Sequence, residues 1–184
     1  MVRGPLVMRG YRNLPEQTRA TIGADGWLAT GDIGELDGEG FLRIVDRKKE
    51  LIISSGGKNM SPANIEAQIK VASPLINQAV TVGDGRPYNV ALIVLDPDFA
   101  PVWASQNGIE RSFEDLAGDE RVQAAITAAV EEANSKMARV EQIKKFKLIP
   151  GEWLPGGDEL TPTMKLKRKP IAEKYEDEIE DLYA

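Results

Sequence analysis

The sequence predicts an α+β fold in which a two-stranded hairpin and a three-stranded sheet are flanked by helices. Two patterns predict it. Three short runs are typical of strands, most clearly the fully apolar second one: 78–82, 90–95 and 144–149. Between 119 and 140, apolar residues recur every three or four positions, which is typical of a long helix with one face in a core. Since 42% of the 184 residues are apolar, the chain is large enough to form that core.

Three helices are expected around the sheet. Ser61 is an N-cap residue and Pro62 suits the first helical position, so a helix is predicted to run from Ser61 to about Ala72. Asp119 caps the start of the long helix. A third, acidic helix is expected over 171–182.

The hairpin is expected within 41–54, where FLRIV alternates as a strand, DRKK makes a turn and ELIIS forms a second strand. The preceding residues 1–40 are instead dense in Gly, Pro, Asn and Asp, with only short extended stretches. This change of composition predicts that a small domain follows the end of another one.

The composition argues against several classes of function. A net charge of −6 argues against a general nucleic-acid binder, because neutralising phosphates requires a positive surface. Without Cys and His, the chain has neither a thiolate zinc site nor the commonest metal ligand and general base. Catalysis would therefore depend on Lys, Arg, carboxylates or backbone groups. The first residues show no signal-peptide pattern and no apolar run approaches the roughly 18 residues of a membrane helix, so a soluble, cytoplasmic protein is expected.

Four segments combine turns, charges and short apolar runs in a fixed order: VRGPLVMRGYRNLPEQT (2–18), DGWLATGDIGELDGEGFLRIVDRKKELI (25–52), SGGKNMSPANIE (55–66) and LTPTMKLKR (160–168). They resemble the successive core motifs of fatty acyl-CoA synthetases, members of the adenylate-forming, AMP-binding superfamily. The resemblance covers the whole chain. It implies that residues 1–46 are the tail end of the large N-terminal AMP-binding domain, a remnant of its β-structure, and that 47–184 are the mobile C-terminal lid domain.

Two residues are candidates for binding a nucleotide. Asp32 lies in TGDIG, where the residue types alone are typical of a turn. Arg47 lies in a charged turn, which is by default solvated. The resemblance implies instead that Asp32 accepts hydrogen bonds from both ribose hydroxyls of ATP, and that Arg47 contacts the same ribose. It also implies that Lys49 is the hinge about which the C-terminal domain rotates.

The glycine loop SSGGKN does not match a phosphate-binding P-loop, because Lys58 is followed by Asn59 where that motif has Ser or Thr. The resemblance implies that Gly57 and Asn59 bind CoA, with the loop lining the path of the pantetheine arm. A plain loop between a strand and a helix is the alternative.

Lys165 is the candidate catalytic residue. By spacing alone, KLKRK fits a basic surface segment or an anion-binding patch. The resemblance implies that Lys165 is the catalytic lysine of the first half-reaction, with Arg168 three residues later. Met164 stands where many members of the family have glycine, a departure that favours the long-chain acyl-CoA synthetases.

The activity implied by the resemblance is that of a long-chain fatty acid–CoA ligase, which forms an acyl-adenylate and then a CoA thioester. ATP, Mg²⁺ and CoA are expected to act in the full-length enzyme, with none bound tightly by this chain and no metal ligand within it. The expected partners are its own N-terminal domain and the substrates, with no nucleic acid and at most peripheral membrane contact. Because nothing resembles the family's phosphate loop or acyl tunnel, the chain alone is expected to be inactive.

Two alternatives remain open. The chain is also compatible with the C-terminal domain of a fatty acyl-AMP ligase that loads an acyl carrier protein. It is further compatible with a stand-alone interaction module that docks through its acidic tail, EKYEDEIEDLY (173–183).

Overall fold

The chain divides into two units in the computed structural model, which describes residues 1–184. The first unit is Met1–Leu51 and the second is Ile52–Ala184. Small sheets and helices occur in both, which confirms the predicted α+β class. None of the helices has the length and hydropathy needed to cross a membrane.

An antiparallel hairpin is the main element of the first unit. Its strands are β1 (Asp32–Leu36) and β2 (Leu42–Arg47), and the unit also contains one short helix, α1 (Pro15–Thr21). The turn is made by Asp37, whose Oδ1 accepts hydrogen bonds from the amides of Glu39 and Phe41 at 3.0 and 2.8 Å. Gly40 completes the turn with a φ of +87°, a conformation that favours glycine.

The predicted pairing within 41–54 is wrong in its partner strand. Residues 42–47 pair with the preceding strand 32–36. The physical reason is turn chemistry, because DGEG supplies an aspartate acceptor and a left-handed glycine that DRKK lacks. A second, two-residue hairpin follows instead, formed by β3 (Ile52–Ile53) and β4 (Asn59–Met60).

A three-stranded sheet organises the second unit. Its strands are β5 (Ile76–Val82), β6 (Asn89–Leu95) and β7 (Ile143–Ile149). The central strand β6 is antiparallel to β5 and parallel to β7. All seven residues of β6 are buried, because both faces of the sheet are covered.

Helices cover the two faces of this sheet and form two cores. On one face, Ile93 and its neighbours pack with four helices: α2 (Pro62–Ala72), α3 (Phe99–Gln106), α4 (Phe113–Leu116) and α5 (Glu120–Ser135). On the other face, Leu92 and Val94 pack with two: α6 (Arg168–Lys174) and α7 (Glu176–Tyr183). Alternate residues of β6 therefore supply opposite cores.

The structure confirms where the predicted helices α2 and α5 begin, but it agrees less well on where the predicted helices end. The Ser61 side chain caps α2 by accepting from Asn64 N at 3.2 Å, and Asp119 caps α5 by accepting from Arg121 N at 2.9 Å. The prediction that the long helix continues to 140 is wrong, because α5 ends at Ser135.

The end of α5 and the break near the C-terminus have local causes. The Asn134 side chain exchanges two hydrogen bonds with the backbone of Ile143, both 2.9 Å, and so directs the chain into β7. The predicted helix over 171–182 is divided at Tyr175, whose φ of −112° and ψ of 31° are not helical. The short helices α3 and α4 were not predicted.

Candidate functional site

The two residues assigned to the ribose lie side by side in the first unit. Asp32 and Arg47 are cross-strand partners, and Arg47 Nε lies 3.1 Å from Asp32 Oδ1. The side chains are 29% and 64% exposed, so this ion pair contributes little to stability. The backbone amide of Asp32 donates to Thr30 Oγ1 at 3.1 Å, which fixes the turn before β1. The arrangement places an acceptor and a cation together at the surface.

Lys49 lies in the exposed turn that follows β2. The turn is closed by backbone hydrogen bonds from Lys48 N to Gly31 O, at 2.8 Å, and from Glu50 N to Arg47 O, at 3.0 Å. The boundary between the two units follows shortly afterwards, at Leu51. The role of Lys49 as a hinge stays a prediction.

The loop that contains Gly57 is an ordered turn between β3 and β4. Ser54 organises it, because its N donates to Lys58 O at 3.0 Å and its O accepts from Gly57 N at 2.8 Å. Gly57 has a φ of +76°, and no heavy atom lies within 4 Å of the place where a Cβ would stand. Glycine is therefore favoured by the backbone conformation and not by crowding. Asn59 follows as an exposed residue of β4, paired with Ile53.

The turn between β5 and β6 holds this loop in place. Asp84 Oδ1 accepts from Ile53 N at 2.9 Å, and Ile53 O accepts from Gly85 N at 2.8 Å. Arg86 O accepts from Ser55 N at 3.0 Å. The Gly57 loop is thus exposed at its tip but fixed at its base.

A groove of about 550 Å³ adjoins this loop. Its lining includes one hydroxyl, two apolar or aromatic residues and three cations: Ser54, Tyr88, Val140, Arg139, Lys144 and Lys145. Asn89, which is fully buried, donates from Nδ2 to Val140 O at 3.0 Å and so holds one wall of the groove. Such a surface suits an anionic ligand with an aromatic part. The groove was missed from the sequence because its residues come from three distant segments.

Lys165 lies in a tight, exposed turn of the second unit. Thr161 N donates to Lys165 O at 2.8 Å, and Lys165 N donates to Thr161 Oγ1 at 3.0 Å. On either side of the turn, Leu160 and Leu166 form an antiparallel bridge. Leu160 is fully buried and belongs to the second core, whereas Lys165 is exposed. The turn therefore presents the ammonium group outward from a fixed base.

Met164 adopts a left-handed conformation in this turn, with a φ of +63°. Only Asn13 shares this property among the non-glycine residues. Left-handed backbone costs about 1 kcal/mol for residues with a Cβ, so glycine would occupy this position at lower cost.

Sequence reasoning missed Glu66, the partner of Arg168. Arg168 Nη1 and Nη2 lie 2.6 and 2.8 Å from the two oxygens of Glu66, which is only 5% exposed. One signal was available, because Glu66 stands next to Ile65 on the buried face of α2. A carboxylate at such a position implies a partner cation.

Glu159 forms a second polar network at the base of the turn. Its Oε1 accepts from Lys174 Nζ at 2.7 Å and from Tyr175 OH at 3.0 Å, and Trp153 Nε1 donates to Tyr175 OH at 3.0 Å. Burial raises the pKa of Glu159, but the hydrogen bonds from Lys174 and Tyr175 outweigh it and hold that pKa below its ordinary value of 4.5. The hydrogen bond to Glu159 also raises the pKa of Lys174.

No group of three or more His, Cys, Asp or Glu side chains is arranged to hold a metal ion. The candidate residues offer cations, backbone amides and the carboxylate acceptor of Asp32. These are the groups that bind nucleotides and stabilise negative charge.

Comparison with protein families identifies the fold. Residues 49–184 match the model of the AMP-binding enzyme C-terminal domain. The chain belongs to this family. The three-stranded sheet, the Gly57 loop and the Lys165 turn all lie within the matched residues and therefore belong to the AMP-binding enzyme C-terminal domain.

Two curated relatives cover the whole chain. A protein provisionally named fatty-acid–CoA ligase fadD11, from Mycobacterium tuberculosis, is 56% identical over 184 residues, which are 100% of this chain and 32% of that protein. The long-chain-fatty-acid–CoA ligase FadD15 of Mycobacterium tuberculosis is 46% identical over 186 residues, covering 100% of this chain and 30% of that protein. The chain thus spans about a third of the length of the curated relatives it matches.

Solved structures support the same family. The adenylation domain of a carboxylate reductase from Mycobacterium chelonae has a TM-score of 0.77 at 22% identity, over 95% of this chain and 26% of that chain, which shows the fold alone. The o-succinylbenzoate CoA synthetase of Bacillus subtilis, in complex with ATP and a magnesium ion, has a TM-score of 0.60 at 28% identity, over 91% of this chain and 28% of that chain.

The left-handed conformation of Met164 leads to a stability prediction. Met164→Gly should leave the free energy of unfolding within about 1 kcal/mol of the parent, because relief of backbone strain offsets the greater flexibility of the unfolded chain. Met164→Val should lower it by about 1 kcal/mol more than the glycine change, since a β-branched residue tolerates this φ worst. Urea unfolding measures both. If valine were as stable as glycine, the turn would not depend on the left-handed residue.

The Glu159 network leads to a pH prediction. Because folding lowers the pKa of Glu159, the ionised side chain stabilises the fold fully above the unfolded pKa of about 4.5. This stabilisation is lost as the pH falls through the lower folded pKa. Glu159→Gln should therefore destabilise the protein by about 1–3 kcal/mol at pH 7, and by less as the pH falls below about 4. Thermal unfolding between pH 3 and 7 tests this, with the exposed Glu152→Gln as control. A difference that stays constant with pH would contradict the lowered pKa.

Proposed function

We propose that this chain is the C-terminal part of a long-chain fatty acid–CoA ligase. Such an enzyme activates a fatty acid with ATP and then transfers the acyl group to CoA. The observation that carries the proposal is the exposed Lys165 on an anchored turn, in the same unit as the exposed and anchored Gly57 loop. One folded body then carries a group suited to each half-reaction. The ligase names of the relatives support the same assignment.

Lys165 serves the first half-reaction. A fatty carboxylate oxygen bonds to the α-phosphorus of ATP, and the bond to pyrophosphate breaks. Both reactants are anions, so a compact ammonium between them offsets their repulsion and the charge that develops in the transition state. Removing one such donor typically costs about 3–4 kcal/mol. The exposed tip of the Lys165 turn suits this task because the ammonium is not engaged in the protein interior.

The Gly57 loop and the adjoining groove serve the second half-reaction. The CoA thiolate bonds to the acyl carbon and AMP leaves. A loop tip without a side chain leaves room for a narrow pantetheine arm, and Asn59 follows at its edge. The groove places Arg139, Lys144 and Tyr88 beside the loop, which suits the phosphates and the adenine ring of CoA. Rotation of the whole unit about Lys49 would exchange Lys165 for this loop.

Residues 1–46 are assigned to the end of the N-terminal domain, and 47–184 to the C-terminal domain. An exposed apolar surface on the hairpin supports the first part: Leu36, Phe41, Leu42 and Ile44 are 57–71% exposed. Leu36 and Leu42 are cross-strand partners, so they share one face of the hairpin. A contiguous apolar face of this kind is typical of a surface that another domain covers.

Within this proposal, Asp32 and Arg47 bind the ribose of ATP. An aspartate carboxylate accepts two hydrogen bonds from a diol, and the neighbouring guanidinium orients it. Mg²⁺ would accompany the ATP phosphates. No group of three or more His, Cys, Asp or Glu side chains is arranged to hold it, so its ligands are assigned to ATP and to residues outside this chain.

The alternative of an interaction module with a docking tail receives no support from the fold. The helix α7 buries Ile179, which is 4% exposed, against the second core. Tyr183 OH donates toward Val82 O and Tyr88 O at 2.9 and 3.0 Å. The acidic tail therefore already uses its apolar face within the protein.

A Lys165 variant tests whether this lysine serves only the first half-reaction. In the full-length enzyme, Lys165→Ala should lower acyl-adenylate formation by about 100- to 1,000-fold, because the ammonium acts on charge that develops in that step. Thioester formation from supplied acyl-adenylate and CoA should change little. Pyrophosphate exchange and thiol consumption measure the two steps, with the exposed Lys169→Ala as control.

Equal loss of both half-reactions would contradict this role for Lys165. The 184-residue chain alone provides a further comparison, since it is expected to be inactive without the rest of the nucleotide and acyl sites. Thioester formation by the isolated chain would overturn that expectation.

Variants of the groove distinguish CoA from a carrier protein as the acyl acceptor. Arg139→Ala combined with Lys144→Ala should raise the KM for CoA by about tenfold, since each exposed charge contributes up to about 1 kcal/mol. Adenylation should be unchanged, and so should the use of pantetheine, which lacks the nucleotide. Lys136→Ala, which removes a cation outside the groove, is the control. A wild-type enzyme that prefers a phosphopantetheine carrier protein over CoA would favour the alternative acceptor.

A further inference from the structure

The ion pair between Glu66 and Arg168 joins two parts of the second unit that are 102 residues apart in sequence. Both guanidinium nitrogens that face Glu66 engage separate carboxylate oxygens, at 2.6 and 2.8 Å. The Glu66 side chain is 7% exposed and that of Arg168 is 24% exposed. This geometry is bidentate and sheltered, so it fixes orientation more firmly than a surface ion pair does.

Glu66 also holds the sheet. Its Oε1 accepts a hydrogen bond from Thr81 N, in β5, at 2.8 Å. One carboxylate therefore connects three elements: the helix α2, the strand β5 and the start of α6. With these contacts, the Glu66 carboxylate has little freedom to move and provides a fixed anchor for Arg168.

Arg168 lies three residues beyond Lys165, at the C-terminal side of the turn. The N-terminal side of the turn is held by the buried Leu160, and backbone pairing from Lys167 N to Glu159 O, at 2.8 Å, joins the two sides. The tip itself is held only by hydrogen bonds within the turn. The direction of the tip therefore depends on how firmly both of its sides are anchored.

We propose that Glu66 and Arg168 act as one positioning unit that fixes the Lys165 turn for the adenylation half-reaction. This inference rests on the function proposed above. Neither residue touches the reacting atoms, because Glu66 is buried on α2 and Arg168 is turned toward it. Their contribution is geometric. A catalytic group misplaced by about 1 Å loses up to about 100-fold in rate, even when its charge is unchanged.

The helix α2 also connects to the other functional loop. It begins directly after β4, where the Ser61 side chain caps it, and the Gly57 loop precedes β4. The second turn of α2 then carries Glu66. Both functional loops are thus attached to one helix, and the ion pair joins that helix to the Lys165 turn.

A double-mutant cycle in the full-length enzyme tests the proposal. The variants are Glu66→Gln, Arg168→Gln and the combination of both. Each single change should lower the kcat of ATP–pyrophosphate exchange by about 10- to 100-fold with little change in the KM for ATP, and the double variant should be no worse than the poorer single one. Thioester formation from supplied acyl-adenylate should change by less than about threefold.

Two further variants control for folding and charge. Arg168→Lys keeps the cation but loses the bidentate fork, and so provides a measurement even if Glu66→Gln does not fold; it should show the same selective loss in a milder form. Glu173→Gln, on the exposed side of α6, removes a carboxylate outside the network and should leave both half-reactions unchanged.

Amide hydrogen exchange of the segment 160–168 gives a readout that does not require activity. Exchange at the amides of Thr161 and Lys165 should be faster in Arg168→Lys than in the parent, and unchanged in Glu173→Gln. Equal loss of both half-reactions, multiplicative effects of the two single changes, or unchanged exchange in the turn would each overturn the positioning role. A parent enzyme without pyrophosphate exchange would instead refute the proposed function, while the hydrogen-exchange comparison would still decide whether the pair controls the turn.

Discussion

The burial of β6 on both faces is the constraint on which the second unit depends. Alternate side chains of this strand enter two separate cores, so helices must cover the sheet on either side. Neither face remains available for a ligand. The candidate functional groups of this unit consequently lie in the connections, and each connection is tied back to the sheet or its helices by hydrogen bonds. The Gly57 loop is held by the β5–β6 turn, and the Lys165 turn is held through Glu66 and Glu159.

The two functional loops solve a shared physical problem in different ways. Each must expose its tip and still keep a defined shape. The first loop does so through Gly57, which adopts a positive φ at no steric cost and has no side chain. The Lys165 turn contains the strained Met164. Two hydrogen bonds between Thr161 and the backbone N and O of Lys165 stabilise this turn. The second solution keeps the Met164 side chain next to Lys165.

Local signals predicted much of the fold. The apolar run at 90–95, the Ser61 cap and the Asp119 cap each depend on neighbouring residues only, and each is found in the structure. Features that depend on a choice between competing segments, or on contacts that form only in the folded chain, were not predicted. The pairing of β1 with β2 depended on which of two turns was stronger, and the end of α5 depended on a side chain that bonds to a residue in β7.

The candidate site divides in the same way. Residue types alone left Asp32, Gly57 and Lys165 as ordinary turn or loop residues, and only the resemblance to a family gave them roles. Glu66 and the cationic groove were missed because their partners are far apart in sequence and meet only in the folded chain. The position of Glu66 was a usable signal, since a carboxylate on a buried helix face needs compensation.

The hairpin of the first unit has a consequence for how such a chain behaves outside a larger protein. Its sheet contains only two strands, so both outer edges carry unpaired backbone groups, and Leu36, Leu42 and Ile44 are exposed beside them. An uncovered edge next to apolar side chains is a template for intermolecular strand addition. Self-association of the free chain through this edge would thus originate in residues 32–47.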